Sequence, residues 1–429
     1  MRRIFGSLIV TLLLWSLPME GSSEFPITLD PSSQYDPQIY GDIVVWVDQR
    51  NGNRDIYGYN LVTKEEFPIT VDTGDQLWPA IYGDIVVWTD YRDSPGGKYP
   101  TELERSSSEN DNIYGYDLTT EEEFQITSDP SSQDHPQIYG DIVVWEDRRN
   151  GNGDIYGYNL VTKEEFPIIV DSNDQCNPQI YGDVVIWIEW RNGNPDIYGY
   201  SVTSGNEFQI AIHSDWINIF ELAIYGDTIV WAEKRDDNFH IYSYNLSTEE
   251  EFQITRGENS ERYPAIYGDI VFWTDHRNGN SDIYGYNLFT KEEFQITSDP
   301  SSQTPGAMYG DIVVWTDFRN GNDDIYGYNL SAIRSPTPSP TPYSTPSSTL
   351  FHLSVELYII LAVVAAVIVG IFVQKKRVKQ KTRKKVEKAQ VKKAKSELLT
   401  CPLCKNEVQE NWNSCPYCGV RLKDDTQIY

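Results

Sequence analysis

Apolar and polar residues in the middle of this chain alternate in blocks that return at a near-constant spacing. The block Ile39-Tyr40-Gly41-Asp42-Ile43-Val44-Val45-Trp46 recurs at Ile81–Trp88, and close copies end at Trp145, Trp187, Trp231, Trp273 and Trp315. Successive tryptophans are 42, 57, 42, 44, 42 and 42 residues apart. A second block, Asp-Ile-Tyr-Gly-Tyr-Asn-Leu, follows at Asp55–Leu61, Asp154–Leu160, Asp282–Leu288 and Asp324–Leu330, and a third reads EEFPIT or EEFQIT. A period of this length belongs to propellers and solenoids.

Each repeat predicts four strands. The first is short, around Pro37-Gln38-Ile39-Tyr40. Tyr40-Gly41-Asp42 is a turn, because glycine accepts positive φ. Ile43–Trp46 is apolar at consecutive positions, as in a strand buried on both faces. Asn51-Gly52 is a hairpin signal. Ile56–Asn60 alternates as a third strand, and Glu65–Thr70 supplies the fourth. Four-stranded antiparallel sheets repeated about an axis make a propeller. The ends of the array fix its closure. Glu24-Phe25-Pro26-Ile27-Thr28 is a fourth strand with no repeat before it, and the seventh repeat stops at Leu330 without one. The N-terminal strand therefore completes the last sheet and hides two edges. The expected fold is all-β: a seven-bladed propeller over residues 24–333, closed by an N-terminal strand.

The pattern D-x-R-N-G-N-x-D-I-Y-x-Y-N-L-x-T-K-E-E-F-x-I-T resembles TolB-type and WD40-like propeller repeats, especially those of archaeal cell-surface proteins. The resemblance covers roughly residues 24–330 and implies the fold; propellers host many functions.

Composition adds topology. Aromatics make up 13% of residues, with 29 Tyr and 12 Trp, in keeping with β structure. The net charge of −29 is unevenly spread: residues 374–429 hold 15 basic and 6 acidic side chains, so almost all the acid lies in the repeats. An acidic propeller repels nucleic acid, which is not an expected partner. Arg2 and Arg3 precede the apolar run Ile4–Leu17, and small residues follow, as in a signal peptide over 1–22; an uncleaved anchor is the alternative. Residues 334–352 are rich in Pro, Ser and Thr and predict an extended stalk. Leu357–Val373 has no charge or proline, and predicts one transmembrane helix over 354–374. The basic segment 375–397 directly after it marks the cytoplasmic side and suits contact with anionic lipid. These features predict a single-pass plasma-membrane protein with its propeller outside and its C-terminus inside. Asn245-Leu-Ser and Asn329-Leu-Ser are sequons, a motif that also arises by chance.

Four of the five cysteines form two C-x-x-C pairs, Cys401/Cys404 and Cys415/Cys418, ten residues apart. Four thiolates at this spacing suit one structural Zn²⁺, and the module over 398–423 resembles a zinc ribbon. The lone Cys176 reads as a packed thiol. Asp48, Asn51, Asn53 and Asp55 offer oxygens to calcium, but Arg50 among them opposes a cation, so an Asp–Arg pair holding the hairpin is the expectation.

No nucleophile elbow, H-E-x-x-H, P-loop or dinucleotide fingerprint occurs, so an enzyme is not expected. The candidate ligand site lies where the repeats differ. Ten residues before the blade tryptophan the chain places Asp36, Trp78, His135, Asn177, Glu221 and Tyr263, with Pro305 in the seventh repeat. These positions should ring one mouth of the central channel, with the long insertion Asp93–Asn112 on the same face. The leading functional expectation is a cell-envelope binding or scaffolding protein with a protein or glycan ligand outside. Alternatives are a receptor signalling through the zinc ribbon to a cytoplasmic partner, or an envelope polysaccharide hydrolase or lyase.

Overall fold

The computed structural model describes residues 24–99, 110–191, 193–211, 219–234, 237–331, 399–400 and 407–408. The chain divides into two units, Met1–Pro336 and Thr337–Tyr429. In the second, Leu399–Thr400 pairs antiparallel with Glu407–Val408. The expected signal peptide, stalk, membrane segment and zinc ribbon, with its four cysteines, and the basic segment 375–397 lie outside the described residues. Among those described, no helix is long and apolar enough to cross a membrane.

The first unit is a seven-bladed β-propeller. Seven four-stranded antiparallel sheets occur among the described residues. Blade one is built from Gln34–Tyr40, Ile43–Asp48, Asp55–Asn60 and Glu65–Thr70, in sequence order. The inner strands of blades two to six are Gln76–Tyr82, Gln133–Tyr139, Gln175–Tyr181, Ile219–Tyr225 and Glu261–Tyr267. Each is longer than the sequence pattern indicates, because a bulge interrupts its apolar alternation.

The tryptophan strand is buried as its composition predicts: Val44, Val45, Trp46 and Val47 have no exposed surface. Trp46 packs with Ile27, Val314 and Ile325 of blade seven, and Trp88 with Val45, Val47 and Ile56 of blade one. Each indole thus wedges against the preceding blade. Loss of so large a buried side chain costs roughly 3–5 kcal/mol.

Closure follows the predicted scheme. Glu24–Pro26 pairs with Asp324–Asn329, so blade seven reads Glu24–Pro26, Asp324–Asn329, Ile312–Asp317, Gln303–Tyr309 from rim to axis. Phe25 lies across Gly327, where an added Cβ would sit 2.7 Å from the ring. The same arrangement joins Phe67 to Gly58 within blade one. Arg319 reaches Glu24 at 3.0 Å, and Asn322 donates to the carbonyls of Asp30 and Ser32. Removing residues 24–28 is expected to lower the melting temperature sharply or leave insoluble protein. Phe25→Ala alone should cost about 2 kcal/mol, less than a fully buried phenylalanine. Unchanged melting of the truncated chain would show that the ring does not depend on this strand.

Candidate functional site at the channel mouth

The two ends of the central channel differ. At the end formed by the Tyr-Gly-Asp turns stand Tyr40, Tyr82, Tyr139, Tyr181, Tyr225, Tyr267 and Tyr309. Neighbouring rings lie 4.6–5.4 Å apart in an unbroken circle. They line a depression of 260 Å³ with Ile39 and Met308. Sequence reasoning read these positions as turn residues, since periodicity does not show that seven turns converge. A circle of identical side chains presents the same chemistry in every direction.

The other end carries the variable positions. Gln34 pairs with Asp48, and its backbone NH donates to Asp323 of the blade-seven hairpin. The start of each inner strand and the hairpins therefore share one face, as expected. The hairpin network is the predicted Asp–Arg pair. Trp46 Nε1 donates to Asp48 at 3.0 Å, Arg50 grips the same carboxylate at 2.6 Å, and its guanidinium lies 4.2 Å from the Tyr57 ring centre.

The six predicted residues share an unforeseen conformation. Asp36, Trp78, His135, Asn177, Glu221 and Tyr263 have φ of 57, 51, 53, 53, 52 and 54°. Each lies at a register shift between the inner strand and its neighbour. A bulge explains the geometry, but glycine or asparagine would be its easy occupant. Asn177 fits that preference, and Asp36 and His135 are of the other types enriched in this region, whereas Trp78, Glu221 and Tyr263 are not. Left-handed backbone costs other residues roughly 1–2 kcal/mol each. In blade seven the ring of Pro305 fixes φ and forbids the conformation.

These side chains are neighbours. Trp78 stacks on His135 with centroids 4.0 Å apart. Tyr99, at the foot of the blade-two insertion, meets Trp78 edge-on at 5.4 Å, which places that foot beside the ring of variable residues. Glu221 accepts a hydrogen bond from the Tyr263 NH at 2.9 Å. Burial pushes the Asp36 carboxyl up to about 6, against the opposing pull of His135 and Gln38. Burial also raises Glu221, opposed by the Tyr263 NH and by Arg262. Tyr263 is 44% exposed, so its face is open to a ligand. Asn177 is half-buried on the blade-four strand.

Two carboxylates at this end were missed. Asp134 precedes His135, and Glu146 is its direct cross-strand partner. Their signal was present in the repeat columns, which hold no second acidic pair at this place. A separate cavity of 860 Å³ lies beside Asn287, Phe289, Thr290 and Leu330, next to the point where the last propeller strand, Asp324–Asn329, ends.

No family model matches the chain, and no curated protein matches it. Solved structures do. Oligogalacturonate lyase from Vibrio parahaemolyticus superposes with a TM-score of 0.53 at 14% identity, over 73% of this chain and 94% of that one. The β-propeller domain of the Trilobed protease from Pyrococcus furiosus gives 0.52 at 14% identity, over 69% and 93%. That domain is described as having an open velcro topology, whereas here Glu24–Pro26 closes the ring. A putative TolB from Agrobacterium tumefaciens aligns over 47% of this chain and 76% of that one, at 18% identity and a TM-score of 0.39. At these identities the likeness is one of fold.

If the left-handed residues are kept for their side chains rather than for packing, replacing one with asparagine should relieve strain. Tyr263→Asn is expected to leave stability unchanged or raise it by up to about 1 kcal/mol. A loss of more than that in denaturant unfolding would assign Tyr263 to packing.

Proposed function

We propose that the protein binds a protein or glycan ligand at the variable mouth of its propeller. The observation that carries this reading is the set of six left-handed, chemically diverse side chains on an otherwise repeating framework. Backbone strain that recurs where side chains differ is a mark of functional positions. Trp78 and Tyr263 supply aromatic surface, while Asp36, His135, Asn177 and Glu221 supply hydrogen-bonding groups, as a concave site with few polar groups requires. A sugar ring, with an apolar face and hydroxyl edges, matches that mixture. The propeller fold fits a binding or scaffolding role.

In the same proposal, residues 354–374 anchor the chain in a membrane with the propeller outside. Cys401, Cys404, Cys415 and Cys418 hold one structural Zn²⁺ inside, where the module is available to a cytoplasmic partner. The residue chemistry supports both parts: an apolar run followed by a basic cluster, and two paired-thiolate turns.

An array of glycans and envelope proteins probed with residues 24–333 would find the ligand. Trp78→Ala and Tyr263→Ala should then each weaken binding by about 1 kcal/mol or more, as central aromatic anchors do. Asp42→Ala, at the tyrosine end, should leave affinity per folded molecule alone. Binding by both mouth variants at wild-type strength would move the site elsewhere. Turnover of an envelope polymer, with consumption of the bound glycan, would favour the enzyme reading instead. For the tail, full-length protein is expected to carry one zinc that Cys415→Ser loses, since metal binding and folding are coupled in such modules. Retention by that variant of zinc with a full set of sulfur neighbours in its X-ray absorption spectrum would remove Cys415 from the ligand set.

A further inference from the structure

Blade three breaks the repeat in a way that neither strand pairing nor packing requires. The position before the bulge and its cross-strand partner are Tyr35 with Val47, Leu77 with Thr89, Cys176 with Ile188, Phe220 with Ala232, Arg262 with Thr274, and Thr304 with Thr316 in six blades. None of these pairs holds two charges. In blade three the pair is Asp134 with Glu146. Both are buried, at 7% and 4% exposure. Like charges directly opposite on adjacent strands repel, and burial magnifies the repulsion.

Three further features surround this pair. His135 Nδ1 lies 3.1 Å from an Asp134 oxygen. One donor atom each from Asp134, His135 and Glu146 fall within 4.8 Å of one another. Metal–ligand bonds of about 2.0–2.2 Å in a tetrahedral site put donors roughly 3.3–3.6 Å apart, so an ion would draw the three side chains together by up to about an ångström, within reach of rotamer adjustment. Gly153 clears space beside Glu146: a Cβ there would sit 3.0 Å from its Oε1, where blade one carries Arg54 instead. Arg148 reaches Glu146 at 2.5 Å and offsets one of the two negative charges. Its side chain is 46% exposed, so it can swing into solvent when an ion displaces it.

We propose that Asp134, His135 and Glu146 bind one divalent transition-metal ion at the blade-three side of the channel mouth. Two carboxylates and an imidazole suit Mn²⁺ or Zn²⁺; the imidazole disfavours Ca²⁺ and Mg²⁺, which prefer oxygen donors. Three protein donors leave at least one coordination position for water or a ligand. The site does not rest on the ligand reading above, since metal uptake is measured with no other ligand present.

Mn²⁺ separates this site from the cysteine module, because thiolates select softer ions. Full-length protein, stripped with a chelator, is titrated with Mn²⁺ and followed by loss of the free-ion electron paramagnetic resonance signal. One Mn²⁺ per chain is expected, and Cys415→Ser should not change it. Asp134→Asn and Glu146→Gln should each weaken uptake by about tenfold or more, at least the effect of losing an outer-shell partner. His135→Asn, with a residue that accepts φ near 53°, should do the same and erase nitrogen coupling from the pulsed spectrum. Metal-free Asp134→Asn should melt at or above the wild-type temperature, because one of two repelling charges is gone. Absence of uptake at millimolar Mn²⁺, uptake unchanged in all three variants, or a metal-free Asp134→Asn that melts well below wild type would overturn the proposal. The last result would instead assign the pair to an Arg148-tied structural network.

Discussion

The propeller depends on one repeated contact, the buried carboxylate two residues after each blade tryptophan. Asp48, Asp90, Asp147, Glu189, Glu233, Asp275 and Asp317 have no exposed surface, and each accepts a hydrogen bond from its own blade's indole. A buried carboxylate is tolerable only when paired and hydrogen-bonded. Among the described residues, six blades supply as partner an arginine from the following hairpin, which also lies over a tyrosine of the third strand and reaches a glutamate of the outer strand. One guanidinium thus ties three strands in register. In blade seven the outer glutamate is Glu24, so the contact that organises a single blade also shuts the ring.

That dependence explains what the sequence made legible. The tryptophan, the carboxylate and the arginine sit at fixed spacings, so blade number, strand order and closure could all be read from recurrence. The cation-site reading of the hairpin was rightly set aside, because the arginine that would oppose a cation grips Asp48. The tyrosine circle was not legible, since each tyrosine meets residues about 42 positions away and nothing local to Tyr40 shows this. Nor was the left-handed backbone at Trp78 or Tyr263. Local propensity points away from it, and only pairing with a neighbouring strand imposes the bulge. What was legible there was the variability: a framework of nearly constant residues holding six different side chains marked the same positions that the structure finds strained.

A rigid, repetitive scaffold gives such a site a particular character. The inner strands are held by buried neighbours on both sides, so the mouth residues stand on elements with little freedom to rearrange. Specificity then comes from which side chain each blade contributes, and strain at one position need not spread to the next. The tyrosine end, built from seven equivalent residues, has no such variation to select with. The contrast between the two ends is therefore a contrast between a surface that can discriminate and one that cannot.

Not every departure from the repeat indicates function, and the junction of blades five and six shows how to tell them apart. His240 stands where Asp55 stands in blade one, and Glu261 where Gln34 stands. Both are buried, and His240 Nδ1 lies 2.8 Å from Glu261 Oε2, with Thr255 Oγ1 donating to the same oxygen at 3.0 Å. In the next junction Thr297 Oγ1 donates to Gln303 Oε1 at 3.0 Å, so the hydrogen bond survives the exchange of residues. Two substitutions there answer each other: an imidazole faces a carboxylate, and the local network keeps its form. Asp134 and Glu146 do the opposite. They set two buried carboxylates face to face, with His135 beside one and Arg148 beside the other. A compensated departure preserves the fold and needs no further partner. One that sets two carboxylates directly opposite each other at buried positions, in one blade of seven, is where a bound cation should be sought.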